Sequence, residues 1–213
     1  MSSKSPTSVA SPVATIWLVD SRTVDDEKLL QHISWLNADE LQRYQRFLRL
    51  ERQRQFLTGR ILLRFALGKL LGVAPASLSL SERPGHAPLL NWPQPAPGYS
   101  ISHSGPWVAC AVSAHTALGL DIELLDAERD LPALAEQAFD ADVAALLGSK
   151  TGCDRVHAFY ALWSEKEARY KLASTTGISS NGSCIRLPHA DLSIVLCSAQ
   201  PLQQAGISAF CDW

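Results

Sequence analysis

The chain of 213 residues has no Cys-x-x-Cys pair, no Gly-x-Ser-x-Gly hydrolase signature and no apolar run of bilayer length. Its five cysteines, Cys110, Cys153, Cys184, Cys197 and Cys211, are odd in number and irregularly spaced. Neither a disulfide framework nor a zinc site is therefore expected, and reduced thiols in a cytoplasmic protein are the reading. The longest apolar candidate, Ile61 to Ala74, is interrupted by Arg64 and Lys69, so no membrane span is expected. Residues 1–14, rich in Ser and Pro, lack the apolar segment of a signal peptide and read as a mobile tail. Net charge is only −2, without the basic excess or the motifs of a nucleic-acid binder. His32, His86, His115, His157 and His189 show no metal-ligand spacing.

The elements that are present alternate without a βαβ rhythm, which predicts an α+β fold. A strand is expected over Thr15–Asp20, and Asn37-Ala-Asp-Glu40 has the form of a capping box opening a helix through Leu41, Tyr44 and Leu48. Arg52–Leu71 carries Phe56, Leu63, Leu67 and Leu70 at helical spacing, with Gly72 as its stop. Pro75–Pro97 reads as loop. Tyr99–Ser102 and Trp107–Ser113 read as strands joined by a tight turn at His103-Ser-Gly-Pro. One helix is predicted over Leu131–Gly148 and a stronger one over His157–Leu172.

The most informative stretch is Leu118-Gly-Leu-Asp121-Ile-Glu123-Leu, a strand whose alternation puts Asp121 and Glu123 on one face and the apolar residues on the other. Two adjacent carboxylates repel each other and are costly to desolvate unless a cation compensates. Downstream, Trp163, Glu167 and Lys171 share one helix face at i, i+4, i+8. The competing reading is a solvated helix with a Glu167–Lys171 ion pair. Three carboxylates and a lysine suit a hard cation such as magnesium with an anionic substrate; no histidine or thiolate stands beside them to favour a transition metal.

Arginines 43, 46, 49, 52, 54, 60 and 64 form a lysine-free basic segment, and guanidinium matches phosphate oxygens bidentately. Either a solvated helix face or a small polyphosphate ligand accounts for it. Ser102-His103-Ser104 could offer a hydroxyl, backbone N–H groups and an imidazole to a phosphate, or be structural. Cys110 reads as core packing.

Ser102-His103-Ser104, Leu118-Gly-Leu-Asp121-Ile-Glu123 and Trp163-Ser-Glu-Lys166-Glu167-Ala-Arg-Tyr-Lys171, in this order, resemble the 4′-phosphopantetheinyl transferases of the surfactin-synthetase-activating type, in the subgroup with Trp and Lys-Glu-Ala. The resemblance implies a pseudo-twofold monomer of two similar α+β halves, residues 15–116 and 117–213, with coenzyme A bound in the cleft between them. It implies transfer of the 4′-phosphopantetheine group to a serine of apo acyl or peptidyl carrier proteins, in fatty-acid, polyketide or peptide biosynthesis. Carried over by motif, Asp121, Glu123 and Glu167 match the magnesium ligands. Ser102 and His103 match coenzyme A phosphate contacts. Lys166 and Lys171 match the lysines near the pyrophosphate, and Glu167 the base. Arg54 and Arg60 are the candidate nucleotide contacts on the arginine helix. The usual Gly-Lys-Pro is here Gly85-His86-Ala87-Pro88, so His86 or Arg83 would have to replace the lysine. That departure leaves open a degenerate, non-catalytic coenzyme A- or carrier-binding protein. A different magnesium-dependent phosphotransferase or pyrophosphatase is the other alternative.

Overall fold

Strand β1 (Val13–Asp20) begins two residues earlier than the sequence suggests, so the last two residues of the expected tail belong to the strand, with Val13 exposed and Ala14 buried, at 2% exposure. The computed structural model describes residues 13–83, 85–177 and 182–209; the rest of the expected tail lies outside the described residues. Helix α1 (Asp26–Gln31) follows, capped by the Asp25 carboxylate. In α2 (Ala38–Arg46) the capping box forms in both directions, Glu40 N donating to Asn37 Oδ1 at 3.0 Å and Asn37 N to Glu40 Oε2 at 3.1 Å. This helix stops at Arg46, before Leu48, which is 99% exposed rather than on an apolar face. Helix α3 (Leu50–Leu71) ends on Gly72, whose φ of 69° is the left-handed conformation that glycine adopts without strain. Two short strands, β2 (Leu80–Ser81) and β3 (Leu89–Leu90), lie within the expected loop.

Strand β4 (Gly98–Ser104) runs two residues past the expected end, so His103 lies in the strand and Gly105-Pro106 make the turn into β5 (Trp107–Ser113). The acidic strand β6 (Leu118–Leu124) is where its pattern puts it. The single helix expected over Leu131–Gly148 is two, α4 (Leu131–Ala138) and α5 (Ala141–Gly148); Asp140 caps the second by accepting from Val143 N. Helix α6 (Gly152–Thr176) is longer than the apolar pattern at both ends. It is followed by β7 (Ser183–Leu187), β8 (Leu192–Ser198) and β9 (Gln204–Ala209).

One arrangement occurs twice. A strand, a long helix and two further strands make β1, α3, β4, β5 and again β6, α6, β7, β8. The strand orders match, β4-β5-β1 and β7-β8-β6, with β9 added parallel to β1 on the first sheet. The fold is thus α+β with two similar halves, although its last described strand returns to the first sheet. Leu57, Ile61, Leu63 and Leu67 of α3 pack on Trp17, Val19, Val108 and Cys110, and Ala168 and Leu172 of α6 pack on Val195 and Cys197. The other faces of the two sheets meet through Ile16, Ala109, Ala111, Leu118, Leu120, Ile122, Ile194 and Leu196. This continuous apolar contact supplies the dominant cohesion between the halves.

Cys110 is free and fully buried, as expected of core packing, and Cys153 is free and exposed. Cys184 and Cys197, directly opposite on β7 and β8, are joined by a disulfide, against the expectation of reduced thiols. Strand register makes that pair, and register leaves no trace in cysteine spacing. Among the described residues no helix is long and apolar enough to cross a membrane.

Candidate active site

Where β4 meets β6 there is no backbone ladder. Instead the hydroxyls of Ser100, Ser102 and Ser104 accept from the backbone N–H groups of Leu120, Ile122 and Leu124, at 2.9, 3.2 and 3.0 Å. The alternation of the strand aims all three serines at the neighbouring edge. Two of them donate onward, Ser102 to Asp121 Oδ1 at 3.0 Å and Ser104 to Glu123 Oε2 at 2.7 Å. The seam between the halves is therefore also what orients the two carboxylates.

Helix α6 closes on this seam because Gly119 leaves it room: a Cβ there would lie 2.0 Å from the Ala168 carbonyl oxygen and 2.6 Å from Leu172 N. Trp163, Glu167 and Lys171 face β6 as their spacing predicts. Trp163 Nε1 donates to Glu123 Oε1 at 3.1 Å. Lys171 Nζ donates to Asp121 Oδ1 at 2.8 Å, Ser102 Oγ at 2.9 Å and the Leu120 carbonyl at 3.0 Å. The Glu167–Lys171 pair of the competing reading is replaced by this Asp121–Lys171 pair. The ion pair on the helix itself is Glu165–Arg169, at 2.8 Å.

Beside these groups lies a cavity of about 440 Å³, lined from both halves. Arg43, Arg52 and Arg60 come from α2 and α3; Arg83, His86 and Ala87 from the segment after β2; Ser102 and His103 from β4; Asp121, Glu167 and Lys171 from β6 and α6. Of the residues singled out in the sequence, Arg60, Arg83, His86, Ser102, His103, Asp121, Glu167 and Lys171 are thus brought together. Three are not.

Arg54 points the other way, its Nε donating to the Ser21 carbonyl at 2.7 Å and its other nitrogens to Val24 O and the Asp26 carboxylate. On an α-helix residue 54 is about 200° round from residue 52, so the cavity receives Arg52 and the β1–α1 connection receives Arg54. Lys166 donates to the Ala138 carbonyl at 2.5 Å and stands over the Phe139 ring, away from the cavity lining. Glu123 does not line the cavity, because Ser104 and Trp163 take both its oxygens. Burial raises its pKa, against the lowering effect of those two hydrogen bonds.

The electrostatics are uneven. Arg60 is 6% exposed and burial pushes its guanidinium pKa down, partly offset by Glu82 and Glu40. Burial alone would raise Glu82, but the charges of Arg60 and Arg43 outweigh it and hold its carboxyl below the usual range. Glu40 also accepts from Arg64 at 2.6 Å, both groups being fully buried. His103 has an exposed ring, yet that ring sits inside the concave wall, where neighbouring atoms displace much of its water. That desolvation, followed by the charges of Arg52, Lys171 and Arg43, pushes its imidazole down to about 4. Asp121 is 4% exposed, and its Oδ2 is buried with no hydrogen-bond partner among the described residues.

The sequence places Arg43 and Arg52 in the basic segment without choosing them over its other arginines, and it does not single out Tyr99 or Tyr170 as cavity residues. The helical spacing of Arg52, Phe56, Gly59 and Arg60 is the signal that could have found the first wall. Comparison with known proteins identifies the family. Residues 23–115 match the family described as 4′-phosphopantetheinyl transferase, N-terminal, and residues 117–207 the 4′-phosphopantetheinyl transferase superfamily. The chain is similar to the 4′-phosphopantetheinyl transferase HetI of a Nostoc species, 34% identical over 146 residues, 68% of this chain and 61% of that protein. It is 29% identical to a 4′-phosphopantetheinyl transferase of Bacillus subtilis over 70% of this chain and 63% of the relative. With 4′-phosphopantetheinyl transferase psf-1 of Bacillus pumilus it shares 28% identity over 85% of this chain and 82% of the relative. The matches thus span less than two thirds of the first two relatives and most of the third.

Proposed function

The chain belongs to the 4′-phosphopantetheinyl transferase superfamily, and from that premise we propose that it moves the 4′-phosphopantetheine group of coenzyme A onto a serine of apo acyl or peptidyl carrier proteins. The observation that carries the proposal is a basic cavity with a buried, half-unpartnered carboxylate, Asp121, beside a second carboxylate, Glu167.

Among the described residues no three His, Cys, Asp or Glu groups are gathered as a metal site, Glu123 being held elsewhere. The unpartnered Oδ2 of Asp121 nevertheless fits a hard cation, and oxygen donors suit magnesium. Asp121 and Glu167 would hold it, with Glu123 behind them. Bound there, magnesium supplies a Lewis acid that neutralises charge on the pyrophosphate. The cavity's arginines orient the nucleotide phosphates, and positioning with electrostatic stabilisation is most of what phosphoryl transfer asks of a protein. The carrier serine oxygen bonds to the β-phosphorus as the bond to 3′,5′-ADP breaks. Glu167, with no hydrogen-bond partner among the described residues, accepts the serine proton. Lys171 keeps Asp121 oriented and adds positive charge beside the departing phosphate.

The test is the intact mass of an apo carrier protein incubated with this protein and coenzyme A, with magnesium or with EDTA. A gain of about 340 Da that requires the metal is the expected result of transferring this phosphoryl group. No gain with fatty-acid, polyketide and peptidyl carriers alike overturns the proposal.

A further inference from the structure

Tracing every arginine and lysine on the cavity wall to a counter-charge leaves two arginines over among the described residues. Arg43 and Arg60 share Glu82, and Arg60 also reaches Glu40 at 3.2 Å. Lys171 is matched by Asp121. Arg52 donates to the neutral side-chain oxygen of Gln55 and stands over the Phe47 ring, with no carboxylate partner among the described residues. Arg83 has only a backbone carbonyl, its Nε donating to Ala87 O at 2.9 Å, which leaves the two terminal nitrogens of the guanidinium without a partner among the described residues.

The backbone around Arg83 is braced. His86 N donates to the Arg83 carbonyl at 3.2 Å. Beyond the turn, Tyr99 Oη donates to Pro88 O at 2.7 Å and accepts from Leu90 N at 2.8 Å, tying the segment to β4. A half-buried guanidinium fixed through its Nε, with both terminal nitrogens free, is preorganised for a two-point grip on a phosphate. His86, in the same segment, is exposed and its ring has no fixing contact among the described residues.

We propose that Arg83 binds a phosphate of the nucleotide in this cavity, supplying from the segment after β2 the charge that His86-Ala87 does not. The proposal rests on the coenzyme A reading above. Of the two residues that the sequence leaves open in this segment, His86 and Arg83, the geometry selects Arg83.

The experiment is calorimetric titration of wild type, Arg83→Gln and Arg83→Lys with coenzyme A, dephospho-coenzyme A and 3′,5′-ADP, with melting curves to establish folding. Arg83→Gln is expected to weaken coenzyme A binding at least about tenfold, as for loss of one charge-assisted pair, and Arg83→Lys to recover part of it. If the loss disappears with dephospho-coenzyme A, the contact is to the 3′-phosphate; if it persists, to the pyrophosphate. Unchanged affinity in folded Arg83→Gln overturns the assignment while leaving the transferase reading intact. Failure of wild type to bind any of the three overturns both.

Discussion

Lys171 Nζ and Asp121 Oδ1 are 2.8 Å apart, and the lysine is the only cation that touches this buried carboxylate among the described residues. Removing it leaves a charge with no compensation in a place that is 4% exposed. Lys171→Met is expected to cost about 3 kcal/mol of stability, as for breaking a buried pair. Adding Asp121→Asn to that variant should restore most of the loss. Urea titration of the two single variants and the double variant measures this coupling; additive losses would mean that the pair is not coupled.

Glu167→Gln keeps the shape of the side chain and removes its charge and basicity. Turnover on a carrier protein is expected to fall at least about 100-fold with the melting temperature unchanged. Steady-state rates at saturating coenzyme A read this directly.

Arg54→Gln separates the sequence-based expectation from the observed geometry. Because Arg54 fastens α3 to Ser21 and Val24 rather than reaching the cavity, the variant should lose about 1–2 kcal/mol of stability and bind coenzyme A as wild type does. A selective loss of coenzyme A affinity in a fully stable variant would restore Arg54 to the site.

Gly119→Ala tests the contact that brings α6 to the carboxylates. The methyl group would meet backbone atoms of α6 rather than a movable side chain, so a stability loss of about 3 kcal/mol is expected from overpacking. Melting temperature and turnover should fall together.

His103 has a folded-state pKa of about 4 against an ordinary value near 6.5. Between these values the unfolded chain binds the extra proton and the folded protein does not. Stability from this group is therefore full above pH ~6.5 and is lost as pH falls towards 4. The melting temperature of His103→Gln relative to wild type should rise across that window and stay level above it. A flat difference from pH 7 to 4 contradicts the depressed pKa.

Much of the site was legible because period and chemistry coincide. Asp121 and Glu123 share a face by strand alternation, and Trp163, Glu167 and Lys171 share one by helical spacing, so each set could be placed before its partner was known. What was not legible depends on which face meets which. Residues 52 and 54 carry the same side chain two positions apart, and only packing decides that Arg52 enters the cavity. Glu123 matches a cation ligand by motif, and only the packing shows that Ser104 and Trp163 each donate to one of its oxygens. The Cys184–Cys197 bond depends on strand register, and the break at Phe139-Asp140 on a cap within a run of apolar residues.

The hydroxyls of Ser100, Ser102 and Ser104 stand in for the carbonyls of a missing strand partner, and that substitution determines how the protein can be divided. A cut between β5 and β6 would sever no strand or helix, but it would leave β9, which pairs with β1, on the second fragment. Neither fragment would then carry a working remnant of the site: one would hold the arginines and the serines, the other carboxylates with nothing to aim them. Mixing the fragments would have to rebuild the serine seam before any chemistry returned. Regained turnover in such a mixture would therefore serve as a direct assay of how the halves recognise each other.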